Sequence, residues 1–243
     1  MEAAEPRYVT LLAGSHLYGT SMEGSDIDIA KVALPSPDEV LGLRRPERVG
    51  GDTSLYSFSD FARLLLKGSL QHFELLFSDV LRHNSYQAYE AWRGLVEIRD
   101  SFWCRKMISG INGYINAEMR RIERQRRWLR DDVFPEERRG HRSFSPPSKI
   151  VADGWDTKGA YHCVRIIAQA NQYEREGTIT FPLDPDVISR LMDIRLGRVS
   201  YEEWMSQMEA ERFDWNASDN PELAKIRAYL RGLALGALEE VET

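Results

Sequence analysis

Between Tyr8 and Ala13 the chain reads YVTLLA, a short β-rich apolar run that stops at Gly14 and predicts a strand. Asp26-Ile27-Asp28-Ile29 alternates polar and apolar residues with the strand period of two. That period puts both aspartates on one face of a second strand and packs both isoleucines on the other. Residues 52–57 (DTSLYS) predict a third strand. Residues 59–77 carry a helical pattern with a break at Gly68-Ser69. Strands mixed with helices over the first hundred residues predict an α/β or α+β domain.

From about residue 101 the pattern turns helical, and residues 101–130 predict one long helix. Residues 131–156 contain Pro135, Gly140, Pro146, Pro147 and Gly154 and predict a loop. Residues 157–174 predict another helix, and Gly177 to Asp184 an extended connector. Ser200-x-x-Glu203 has the form of a capping box, and Asn220-Pro221 supplies an N-cap and a first-turn proline for a last helix. The boundary expected from this change of pattern lies near residue 100.

The 243 residues are 42% hydrophobic and 29% charged, which excludes a wholly disordered chain. No apolar run approaches the ~20 residues a membrane helix needs, so no membrane partner is expected. Cys104 and Cys163 are too few for a disulfide framework, and a cytoplasmic protein is the expectation. The net charge of −6 argues against a general nucleic-acid coat. Yet Arg120, Arg121, Arg124, Arg126, Arg127 and Arg130, with Glu123 the one acid among residues 119–130, give that segment +5 and leave −11 for the remainder. Helical spacing puts Arg120, Arg124 and Arg127 on one face. Two readings stay open: an ordinary solvated helix, or a contact surface for a nucleic-acid acceptor such as RNA, with Trp128 as a stacking platform and Arg138, Arg139 and Arg142 as an extension.

The pattern that carries chemistry is Gly14-Ser15, ten residues, then Asp26-Ile27-Asp28. Glycine lets backbone approach a phosphate closely, because it has no Cβ. Serine and nearby amides can donate to phosphate oxygens. Two carboxylates two residues apart can share hard divalent cations, which take oxygen ligands. Paired metals roughly 3.5–4 Å apart stabilise the attacking and leaving oxygens of an in-line phosphoryl transfer.

Gly14-Ser15-His16-Leu17-Tyr18-Gly19-Thr20, followed by Ser25-Asp26-Ile27-Asp28, resembles the polymerase-β-like nucleotidyltransferase superfamily. With Glu74-Leu75-Leu76-Phe77 and with Lys158, His162 and Arg165, it resembles more narrowly the bacterial and phage RNA-repair-pathway branch, over roughly residues 8 to 205. Gly68-Ser69-Leu70 and Lys31 depart from that branch's pattern. The resemblance implies an α+β fold: a small mixed-sheet catalytic domain over residues 1–100, then a mostly helical domain over 101–243 that closes the nucleotide cleft. It implies transfer of a nucleoside monophosphate from an NTP to an acceptor hydroxyl with release of pyrophosphate, using Mg²⁺ or Mn²⁺. Asp26 and Asp28 would carry the metals, with Asp52 as third carboxylate and Glu74 as the reserve candidate. Gly14, Ser15, Tyr18 and Ser25 would meet the nucleotide, and Lys158, His162 and Arg165, at i, i+4 and i+7 of one helix, its phosphates. Without the resemblance, the last three read as a solvated polar stripe opposite Ala160, Cys163, Val164 and Ile167. The rival functions are a nucleotide-sensing module without turnover and an antitoxin-like interaction protein. RNA, protein and small-molecule acceptors all fit the same chemistry.

Overall fold

A computed structural model describes residues 6–42, 53–131, 146–210, 215 and 217–239. In chain order it forms β1 (Tyr8–Leu12), α1 (Gly14–Tyr18), β2 (Ile29–Ala33), α2 (Pro37–Val40), β3 (Thr53–Ser57), α3 (Phe58–Leu66), α4 (Leu70–Phe73), a 3-10 turn (Glu74–Phe77), β4 (Val80–His83) and α5 (Tyr86–Glu97). A second 3-10 turn (Arg99–Phe102) leads into α6 (Arg105–Arg130), α7 (Pro147–Asp153), α8 (Thr157–Glu176), α9 (Pro185–Arg195), α10 (Tyr201–Ala210) and α11 (Leu223–Glu239). This is the α+β architecture expected: a four-stranded mixed sheet accompanied by many helices.

The chain divides into two compact units. The first holds residues 1–110, 178–182 and 217–243, and the second holds 111–177 and 183–216. The last helix therefore groups with the sheet, whereas a boundary near residue 100 assigns it to the helical part.

In the first unit the sheet order is β3-β2-β1-β4. β1 is antiparallel to both β2 and β4, and β2 is parallel to β3. A central strand is covered on both faces, which is why Val9, Thr10 and Leu11 are all buried. α3 buries Phe58, Phe61, Ala62 and Leu65, and α5 buries Ala88, Ala91, Trp92 and Leu95, each at helical spacing. Phe61 meets Trp92 edge-on, with centroids 5.5 Å apart. The 178–182 segment belongs here through Phe181, whose ring lies 6.1 Å from that of Tyr18.

In the second unit, α8 buries residues on nearly every side, from Thr157 and Gly159 to Gln169, Ala170 and Tyr173. Asp156 caps it by accepting the Gly159 amide at 3.0 Å. The capping box at Ser200 forms as expected: Glu203 accepts from the Ser200 amide at 2.9 Å, and Ser200 Oγ from the Glu203 amide at 3.2 Å.

Four local expectations are corrected. The D-x-D segment precedes β2 rather than forming it, because β1 turns away at Gly14 and pairing ends with Leu12 opposite Ile29. Ile27 is consequently 57% exposed instead of packed. Helix α7, with a proline at its start, stands inside the expected 131–156 loop. The last helix starts at Leu223, past Asn220-Pro221, because the carbonyl of Glu222 is the one that accepts the Ile226 amide.

Gly68 follows α3 at φ +82°, and a Cβ there would stand 2.6 Å from the Lys106 carbonyl oxygen. A Cβ on Gly110 would in turn meet the Gly68 oxygen at 2.5 Å. Backbone thus packs on backbone where α6 begins. Gly68→Ala adds positive-φ strain and this overlap, so we expect a loss of about 1–3 kcal/mol, read as a lower urea midpoint.

Candidate functional site

The antiparallel register of β1 and β2 brings the chain back at Ala13, whose amide donates to the Asp28 carbonyl at 2.9 Å. The next residue, Gly14, has φ +64°, a conformation that glycine adopts without a Cβ penalty. A Cβ built on Gly14 would fall 1.9 Å from Asp28 Oδ2. The Asp28 carboxylate therefore occupies the space that any other residue's side chain at position 14 would fill. Asp26 and Asp28 are both exposed.

Around this contact, the Gly-Ser turn is held by its own residues. The Thr20 amide donates to the Ser15 carbonyl at 2.9 Å, closing α1, and Gly19 at φ +76° ends the helix. Ser15 is half-buried beside Gly14. His16 Nε2 lies 3.2 Å from the Ser25 carbonyl and joins the turn to the segment carrying the aspartates. His16 and Thr20 carry no signal in the sequence beyond membership of the Gly-Ser-x-x-Tyr-Gly-Thr run, since the contacts that define them span nine and five residues.

Two residues expected at the nucleotide are engaged within the fold. Tyr18 is 6% exposed, and its hydroxyl donates to Glu74 Oε1 at 2.5 Å. Ser25 Oγ accepts the Met22 amide at 2.8 Å, in a turn completed by the Ser25 amide donating to Met22 O. Glu74 is 2% exposed on the 3-10 turn, where the Tyr18 hydroxyl meets it. Asp52, expected as third carboxylate, lies outside the described residues, directly before Thr53, which pairs with Ile29. Among the described residues, no group of three or more His, Cys, Asp and Glu is arranged to hold a metal ion.

In the second unit, Lys158, His162 and Arg165 share one side of α8, but they are not a solvated stripe. Lys158 and His162 are half-buried and Arg165 is 1% exposed, its Nη1 donating to Gln169 Oε1 at 2.7 Å. Burial, reinforced by Arg165, Lys158, Arg195 and Arg121, drives the His162 imidazolium pKa well below its usual value, so the ring is neutral at neutral pH. Beside it, Arg121 pairs with Glu118 and, at 3.4 Å, with the fully buried Asp156. Burial raises the Glu118 pKa, and Arg121 opposes that rise. Helical periodicity locates the charged stripe, and tertiary packing buries it.

The long helix α6 sorts its arginines. Arg121 is taken by the buried pairs just described. Arg126 pairs with Glu202 and lies 4.0 Å from the centre of the Tyr201 ring. Arg120, Arg124, Arg127 and Arg130 are exposed. Arg138, Arg139 and Arg142 lie outside the described residues.

The model of one protein family, the RNA repair pathway DNA polymerase beta family, matches residues 8–230. No curated protein and no solved structure matches the chain. The matched stretch includes residues of both compact units and runs past residue 205, where the motif resemblance ends. Among the described residues, no helix is long and apolar enough to cross a membrane.

Tyr18→Phe removes the donor to a buried carboxylate and should lower stability by about 1–3 kcal/mol, measured by urea denaturation. A nucleotide role for the hydroxyl would instead appear as weakened nucleotide binding at unchanged stability. Gly14→Ala places a methyl on Asp28 Oδ2, so either the carboxylate or the turn must shift. We expect nucleotide-dependent activity to fall by at least tenfold while the far-ultraviolet circular dichroism spectrum is retained.

Proposed function

The chain belongs to the RNA repair pathway DNA polymerase beta family, and from that premise we propose that it transfers a nucleoside monophosphate from an NTP to an acceptor hydroxyl. The observation that carries this reading is the Asp28 carboxylate seated against the bare Cα of Gly14, with Asp26 exposed two residues before it. A side-chain-free turn beside a pair of accessible carboxylates suits a ligand that is both polyanionic and metal-bound.

The donor set fits a hard divalent cation, because both side chains offer carboxylate oxygens. Asp26 and Asp28 would hold Mg²⁺ or Mn²⁺, with Asp52 as a further ligand. When bound, such ions neutralise charge developing on the α-phosphate and on the leaving pyrophosphate. The bare Cα of Gly14 lets the Asp28 carboxylate sit against the turn, and the Ser15 hydroxyl beside it would donate to the triphosphate. The acceptor oxygen bonds to the α-phosphorus as the bond to the pyrophosphate oxygen breaks. The acceptor proton passes to a carboxylate, the role assigned to Asp52.

Other residues position these groups. Tyr18 and Glu74 tie α1 to the 3-10 turn beneath it, and His16 holds the segment carrying Asp26 and Asp28. For the α8 stripe, we propose separately that the half-buried Lys158 ammonium meets phosphate. Buried Arg165 and neutral His162 would support it from the interior of their unit.

Purified protein incubated with Mg²⁺, α-labelled NTPs and a pool of RNA acceptors tests the reading. Label is expected to move to the acceptor with release of pyrophosphate. Asp26→Asn and Asp28→Asn should each lower the rate by ~10³-fold or more, since each removes charge that holds the cation, while leaving the melting temperature within a few degrees. Near-normal turnover in either variant contradicts the metal assignment. Nucleotide bound without transfer would support the sensing module instead.

A further inference from the structure

Of the six arginines between residues 119 and 130 of α6, Arg121 and Arg126 pair with acids of the same unit, and Arg130 pairs with the adjacent Asp131 at 3.2 Å. Arg120, Arg124, Arg127 and Arg130 are exposed and recur at intervals of four, three and three residues. Their Cα atoms are thus spaced about 6, 4.5 and 4.5 Å along the axis. Arg120, Arg124 and Arg127 lie on one face, and Arg130 turns off its edge, where a groove of about 440 Å³ is lined by Glu123, Arg126, Arg127, Arg130 and Tyr201. Like charges at these spacings repel one another along a helix, so the row favours a bound polyanion. Two aromatic groups accompany it. The Arg124 guanidinium lies 5.5 Å from the centre of the Trp128 ring, and Tyr201 forms one side of the groove.

We infer that this face of α6 is a docking surface for a single-stranded nucleic acid. Exposed guanidinium groups in a row match the repeating phosphates of a phosphodiester backbone and can engage them with paired N–H donors. Trp128 offers a ring on which a base stacks without a sequence requirement, while Tyr201, with Arg126 over its ring, lines the groove. An acidic protein surface would use the same positive charge and have no need of the Trp128 ring. The overall charge of −6 confines the attraction to this row, so the footprint is short, a few phosphates rather than a wrapped strand. The inference goes beyond the transfer reaction, because it concerns binding by residues of the second unit alone.

The test reads binding without NTP or metal, so a failed transfer assay and a failed docking surface are told apart. Fluorescence anisotropy with end-labelled 20-nucleotide RNA and DNA of one sequence is followed from 25 to 300 mM KCl. The affinity is expected to fall with salt at a log–log slope of magnitude about 2–3, at ~0.7 per neutralised phosphate. The triple variant Arg120→Gln/Arg124→Gln/Arg127→Gln keeps polar, helix-forming side chains and should weaken binding at least tenfold and flatten the slope by about 2. Trp128→Leu should weaken binding at unchanged slope. Equal affinity for RNA and DNA assigns recognition to phosphate and base stacking, and a preference for RNA adds the ribose hydroxyl; both support the surface. Lack of binding by the wild-type protein at 25 mM KCl overturns it. So does equal binding by the triple variant, or competition by poly-glutamate as effective as that by RNA. Should the triple variant fold poorly, Arg124→Glu alone, with its melting curve, carries the same comparison.

Discussion

The candidate site depends on one steric relation, the contact between the Cα of Gly14 and the carboxylate of Asp28. It exists because β1 and β2 are antiparallel in a register that sets Leu12 opposite Ile29. One residue farther on, Ala13 donates to the Asp28 carbonyl, and the strand must then turn away. Glycine makes the turn at φ +64° and leaves the space above it to the carboxylate. Shifting the register by one residue would bring a different side chain to that position and send Asp28 to the opposite face.

The elements around this contact hold it without occupying it. Tyr18 reaches from α1 to Glu74, joining residues 56 positions apart in a buried hydrogen bond. A buried carboxylate is costly unless a donor meets it, so this pairing constrains where α1 can lie. Phe181, contributed from far along the chain, packs against the same tyrosine. The turn that faces the exposed aspartates is therefore backed by a buried layer, the arrangement expected where a loop must present chemistry from a rigid base.

The second unit shows one residue type in three environments. Arg121 is internal, paired with Glu118 and Asp156; Arg126 is half-buried over Tyr201; Arg120, Arg124, Arg127 and Arg130 are exposed. The same sorting applies on α8, where Arg165 is enclosed and Lys158 is half-open. A stripe of charge at helical spacing is thus compatible with a buried network as well as with a wet surface. Which of the two forms is set by the elements that pack over it and by the acids that they bring.

Several features of the fold and site were legible in the sequence because they depend on neighbours a few residues away. The run of β-branched and apolar residues before Gly14 made a strand, the break at Gly68-Ser69 separated α3 from α4, and Ser200 with Glu203 formed a capping box. The Gly-Ser turn and the D-x-D segment were visible for the same reason, and with them the family. Alternation also suggested that Asp26 to Ile29 formed a strand, but a strand needs a partner, and β1 had already turned away. Tyr18 and Ser25 stand in the motif as expected nucleotide contacts; that the Tyr18 hydroxyl meets a distant Glu74 and that Ser25 Oγ accepts the Met22 amide is visible only in the fold. Local spacing determined which residues are helical, which are extended and which could be charged together. Tertiary structure decided which of them are buried, because burial depends on partners tens or hundreds of residues away that no local period encodes.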